Sequence, residues 1–221
     1  MLMLPHGAVG SPEMTVLTVA FTAVFAAALV WAEVGNSSKL RWYKMLASSG
    51  FVAIALSVGG LSSAYGRLVL AALVCSWIGD LLLTYPSRPA FLGGLVAFLL
   101  GHVGYSVAFG LLGLNPWFVA VAAVVVVLIG YPVWRWLRPH IGVMAGPVIA
   151  YVVVISVMVT MSVGAFGAGA TALIPIGATL FYASDIAVAR NQFVAPGVAN
   201  RVVGLPLYYL AQVLLASTAG G

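Results

Sequence analysis

Apolar residues along this chain fall into successive blocks of about twenty, each long enough as a helix to cross a hydrocarbon core of about 30 Å. Short segments bearing Lys, Arg, Ser, Pro or Gly separate the blocks. The pattern predicts eight helices, at roughly 14–33, 43–61, 66–85, 90–112, 116–134, 146–165, 171–190 and 201–218. Together they take up most of the length and leave no room for a separate soluble domain. The expected fold class is therefore all-α: a single polytopic membrane domain over residues 1–221 with eight transmembrane helices.

Polar positions inside the blocks are few. Of only four acidic residues, Glu13 and Glu33 lie at the ends of the first block, whereas Asp80 in "SWIGD" and Asp185 in "FYASD" are embedded in apolar segments. A charged Asp at mid-membrane costs about 2.5–3.5 kcal/mol on insertion scales, so such a residue faces a bundle interior or a watery cavity. Each lies about five residues, or roughly 8 Å of helical rise, before the end of its helix. Both helices run in the same direction, so their register places two carboxyls at one depth. A purely structural reading would give Asp80 a polar contact with Ser76 or Thr84, which share its helical face at i−4 and i+4.

Composition closes off other classes. The chain is 63% hydrophobic and 6% charged, against about 25% charged residues in an ordinary soluble domain. One cysteine, Cys75, excludes an intramolecular disulfide and any multi-thiolate metal site. The net charge of +5 does not indicate nucleic acid, because the basic residues form no cluster. Lys39, Arg41, Lys44, Arg88, Arg135, Arg138, Arg190 and Arg201 flank odd-numbered loops, and Arg67 alone falls on the other side. By the positive-inside rule the odd loops are cytoplasmic and both termini extracytoplasmic. The expected location is the inner (plasma) membrane, with the two aspartates nearer the cytoplasmic leaflet.

Other polar groups are candidates for substrate binding. "AFLLGHVGYS" carries His102 and Tyr105 three residues apart on one face. Gly94, Ala97, Gly101, Gly104 and Ala108 on the opposite side suit close helix packing. Tyr182 precedes Asp185, and "PLYYLAQVLL" supplies Tyr209 and Gln212 as candidates, with Tyr208 beside them. The tyrosines there read as interface anchors, whereas Gln212, halfway along its helix, needs an interior partner. Lys44 enters the second helix at the cytoplasmic surface. No G-x-S-x-G elbow, H-E-x-x-H motif or P-loop occurs, and "GLSSA" and "GYSVA" lack the second glycine of an elbow. Paired carboxyls are the main hydrolytic chemistry that remains.

Four separated blocks, "SWIGDLLL", "FLGGLVAFLLGHVGYSVAF", "GATLFYASDIAVARNQF" and "LYYLAQVLL", resemble in order the signatures of the YhhN/TMEM86 family of membrane proteins, the lysoplasmalogenases. The resemblance spans roughly residues 44–214. Lys44 in "RWYKML" falls where the family has a lysine entering its second helix, although Met45 stands in place of the family's usual proline. The resemblance implies an eight-helix enzyme that hydrolyses the vinyl-ether bond of lysoplasmalogen to a fatty aldehyde and a glycerophospho-base, with Asp80 and Asp185 matching the family's two catalytic aspartates. It further implies a lysophospholipid substrate drawn from the membrane, with Lys44 (or Arg88 or Arg190) holding its phosphate, and needs no metal, organic cofactor or obligate protein partner. One carboxyl would act as general acid to carbon while the other stabilises the oxocarbenium ion and activates water; sequence does not assign which.

Two other classes also use membrane aspartates. An intramembrane aspartyl protease would require glycine where Trp77 stands and a P-A-L segment, which the chain lacks. A proton-coupled transporter is suggested by "SWIGD" and "YASD" four helices apart on parallel helices, but Pro132 and Pro175 do not occupy equivalent places in the two halves.

Overall fold

The computed structural model describes residues 11–221, and among them the chain is all-helical. Eight α-helices run in order: α1 (Pro12–Val34), α2 (Leu40–Ser57), α3 (Ala64–Leu82), α4 (Arg88–Leu111), α5 (Pro116–Ile141), α6 (Ala145–Gly167), α7 (Leu173–Ala189) and α8 (Val198–Ser217). Residues 1–10, on which the expected placement of the N-terminus partly rests, lie outside the described residues. Among the described residues six helical stretches are long and apolar enough to cross a membrane, one of them the continuous run 116–167 formed by α5 and α6. α2 is not among them, since Arg41, Lys44, Ser48 and Ser49 dilute its apolar content.

Short polar side chains start several of these helices. Ser11, Ser63, Ser87 and Asn115 each accept a hydrogen bond from a backbone N–H in the first turn of α1, α3, α4 and α5, satisfying donors that a helix terminus leaves open. Prolines in the first turn of α1, α4 and α5 fit the same places, where no N–H is needed.

One helix end differs clearly from expectation. α5 continues to Ile141, seven residues beyond the end of its apolar block, through Pro132 and Pro139. A helix does not stop where the membrane does, and Leu137 and Ile141 are buried there against Val148 of α6. The reversal into α6 is then made by one 3₁₀ turn, Gly142–Met144, with Gly142 at φ 47°, a left-handed conformation that a side chain would strain. α2 begins at Leu40, three residues ahead of its expected start, which sets Lys44 in the second turn of the helix.

Neighbouring contacts close a ring: α1 on α2, α2 on α3, α3 on α4, α4 on α6, α6 on α7, α7 on α8 and α8 back on α1. α8 also reaches α2 and α3, so it forms the central post, while α5 packs on α6 at the outside. Large apolar side chains such as Val24 in α1 and Leu128 in α5 are more than 60% exposed, as expected of surfaces meeting lipid. The predicted small-residue face of α4 does pack tightly. A Cβ on Gly101 would stand 3.1 Å from the Ala72 carbonyl oxygen, and one on Gly104 3.2 Å from the Ala72 side chain. α3 and α7, which carry the two aspartates, are not packed neighbours; α8 lies against both.

Candidate active site

A cavity of about 740 Å³ opens at the end of the bundle where α1 meets α2, α3 meets α4, α5 meets α6 and α7 meets α8. Glu33, Tyr85, Met144 and Asn191 mark those four junctions on its lining. Its walls are largely apolar, with Leu95, Phe98, Val148 and Ile155 among them, and both Asp80 and Asp185 open into it. The two carboxyls share one cavity although their helices are not packed neighbours.

Asp80 is almost wholly buried and surrounded by donors. Lys44 Nζ lies 3.2 Å from its Oδ1. Ser48 Oγ donates to Oδ2 at 2.7 Å and Tyr208 Oη at 2.6 Å. Behind these, Gln212 Nε2 donates to Tyr208 Oη at 3.2 Å, Tyr105 Oη donates to Gln212 Oε1 at 2.8 Å, and the Tyr209 and Ser48 hydroxyls are 3.1 Å apart. Bonds of 2.5–2.7 Å from a hydroxyl to an oxygen are characteristic of an ionised acceptor. Asp80 thus accepts two short hydroxyl bonds beside the Lys44 ammonium group.

Asp185 has a different setting. Tyr151 Oη donates to its Oδ2 at 2.9 Å, a length outside the charge-assisted range. His102 Nε2 lies 3.6 Å from the same oxygen, and no lysine or arginine is within salt-bridge distance among the described residues. The His102 ring is held edge-on to Tyr151 with centroids 5.2 Å apart and packs on Phe181 at 4.6 Å. Neither of its nitrogens makes a hydrogen bond to the described residues. Ser184, next to Asp185, donates to the Gly204 carbonyl at 3.0 Å and ties α7 to α8 beside the site.

The candidates taken from the sequence thus separate into groups. Lys44 and Tyr182 line the cavity with the two aspartates. The Tyr182 hydroxyl, however, has no hydrogen-bond partner among the described residues and lies against Gly130 of α5. His102 stands beside Asp185, whereas Tyr105, Tyr209 and Gln212 stand behind Asp80 as supports. His102 and Tyr105, expected to act on one face, serve different carboxyls. The alternative partners of Asp80 are excluded: Ser76 donates to the Ala72 carbonyl and Thr84 to that of Leu81. Arg190, a candidate for phosphate, bonds Asn200. Ser48, Tyr151 and Tyr208 were not marked as site residues by the sequence, and only Tyr208, one residue before Tyr209, stood within a motif.

A family model described as the YhhN family matches residues 41–219. A pig protein named "Lysoplasmalogenase TMEM86B" is 35% identical over 162 residues, covering 73% of this chain and 66% of the relative. Its human counterpart is 31% identical over 189 residues, covering 82% and 77%. A Mycobacterium tuberculosis protein named "Lysoplasmalogenase" is 33% identical over 199 residues, covering 83% and 73%. No solved structure matches.

Proposed function

The chain belongs to the YhhN family, and on that premise we propose that it is a membrane hydrolase that cleaves the vinyl-ether bond of lysoplasmalogen, or of a related ether lysolipid, to a fatty aldehyde and a glycerophospho-base. The names of its relatives support the reaction class. The observation that carries the reading at the level of this chain is the pair of unequally supported carboxyls on one apolar-walled cavity.

Vinyl-ether hydrolysis needs one acid that can protonate carbon and one anion that can face a cation. Asp185, with no cation beside it, is the general acid in this proposal, and Asp80, held as a carboxylate, is the anion. Asp185 gives its proton to the β-carbon of the vinyl ether; the double-bond electrons form the new C–H bond, and an ether-oxygen lone pair completes the oxocarbenium ion. Water adds to the oxygen-bearing α-carbon of that ion while Asp80 takes its proton. The hemiacetal then collapses as Asp185 takes the hydroxyl proton and Asp80 returns one to the departing glycerol oxygen. Both carboxyls end as they began, and the reaction consumes one water. Lys44, Ser48 and Tyr208 position Asp80; Tyr151 and His102 position Asp185. The alkenyl chain lies along the apolar walls.

The same proposal takes all eight helices as spans, with the cavity mouth cytoplasmic. Eight of the nine basic residues flank the loops at that end. Purified protein should release aldehyde from a lysoplasmalogen and none from its saturated alkyl-ether analogue. In heavy water the aldehyde should carry one deuterium on the carbon next to the carbonyl, the atom protonated in the first step. Absence of aldehyde from folded protein would contradict the reading.

A further inference from the structure

Three of the four acidic residues of the chain, Glu33, Asp80 and Asp185, line this one cavity, and the mechanism above uses only two. Glu33 stands at the last turn of α1, a helix that lies outside the residues matched by the family model. Its carboxylate is mostly buried, and its Oε2 is 2.7 Å from Nε of Arg201 near the start of α8. Arg201 is itself part of the lining and 42% exposed, and Arg88, at the first position of α4, lines the same mouth. Arg88 has no carboxylate within salt-bridge distance among the described residues. The nearby cation Lys44 is engaged with Asp80.

We infer that Glu33 and Arg201 form a headgroup subsite that selects lysolipids with a zwitterionic, amine-bearing phosphate over those with an anionic one. The inference rests on the ether-lipid hydrolase reading for its substrate. With the apolar chain against the walls and the vinyl ether at the carboxyls, the phosphodiester lies at the mouth. Arg201 and Arg88 offer it guanidinium N–H donors. The amine one ethylene unit beyond the phosphate then meets the Glu33 carboxylate, whose Oε1 makes no hydrogen bond to the described residues. A paired acid and base at the mouth match a headgroup that is itself a pair of opposite charges. A phosphoglycerol or phosphoserine headgroup brings net negative charge to the same carboxylate and is repelled.

The test compares wild type, Glu33→Gln and the charge-keeping Glu33→Asp, all full-length, on vinyl-ether lysolipids of identical chain with ethanolamine, choline or glycerol on the phosphate. Wild type should favour the two amine headgroups. Glu33→Gln should raise KM for them roughly fivefold while kcat holds and KM for the glycerol headgroup stays level or falls, and Glu33→Asp should recover most of the preference. A merely structural tie between α1 and α8 would lower activity on all three headgroups alike, which would overturn the inference, as would a wild type with no headgroup preference. Binding of the saturated alkyl-ether analogues, followed by thermophoresis, reads the same subsite without cleavage. If no aldehyde forms from any substrate yet the analogues bind with a Glu33-dependent preference, the hydrolase reading fails and the subsite stands. Equal binding of all headgroups removes the subsite whatever the activity.

Discussion

Asp80 and Asp185 open into one cavity from helices that are not packed neighbours, and they are supported in different ways. Asp80 has an ammonium group at 3.2 Å and two hydroxyl donors at 2.6 and 2.7 Å, backed by a chain of side chains from α4 and α8. Asp185 has one donor at 2.9 Å and an aromatic cage around its histidine neighbour. Like residues at like register have been given unlike surroundings, one with a cation and two hydroxyl donors and one with a single hydroxyl donor. Such a difference in environment is what two carboxyls need to take the two roles of acid and base in one reaction.

The sharpest way to break the comparison is to remove each carboxyl in turn. Asp185→Asn and Asp80→Asn should each lower aldehyde release by at least about a hundredfold, within the range assigned to a positioned acid or base. Asp185→Asn keeps the shape of its side chain and should fold as wild type, whereas Asp80→Asn leaves Lys44 without its carboxylate, so thermal unfolding is compared alongside its rate. Retention of near wild-type rates in either variant would remove that residue from the chemistry.

The next largest effect falls on Lys44. Lys44→Met leaves a buried carboxylate without its cation, which costs roughly 3 kcal/mol of stability by analogy with broken buried pairs. Activity should fall with it. The double variant Lys44→Met with Asp80→Asn should be more stable than Lys44→Met alone, because the unpaired charge is gone. Thermal unfolding in detergent tests the order, and a double variant less stable than the single would show that the pair is not the source of the effect. Asp185 has no corresponding cation to remove.

Smaller and more discriminating are the two tyrosines. Under the proposed assignment Tyr208→Phe removes a bond to an ionised acceptor, worth about 1.5–3 kcal/mol, whereas Tyr151→Phe removes one to a neutral acid, worth about 0.5–1.5 kcal/mol. The loss of kcat/KM should therefore be greater for Tyr208→Phe. A reversed order would exchange the roles of the two carboxyls.

How much of this was legible in the sequence follows from what a linear pattern carries. Eight apolar blocks become eight helices, because length and composition alone decide whether a segment can be helical in lipid. The end of α5 did not follow, since Leu137 and Ile141 are held by contacts with α6 that lie beyond its apolar block. Asp80 and Asp185 stood out because an acid in such a segment demands an interior site, and Gln212 did for the same reason; it found Tyr105 and Tyr208. Their supports did not stand out. Ser48 and Tyr151 are residue types that an apolar helix carries at little cost, so nothing local marks them. Tyr208 looked like an interface anchor, and only the central position of α8 turns it toward Asp80. Lys44 was expected at a phosphate; the earlier start of α2 brings it beside Asp80.

The division of labour is tested most directly by infrared difference spectroscopy of the carbonyl stretch of protonated carboxyl groups, recorded on the wild-type protein, Asp80→Asn and Asp185→Asn at neutral pH. A protonated-carboxyl band that persists in Asp80→Asn and vanishes in Asp185→Asn is the predicted result. A band that vanishes in Asp80→Asn instead, or wild-type protein with no such band, would contradict the assignment of Asp185 as the acid.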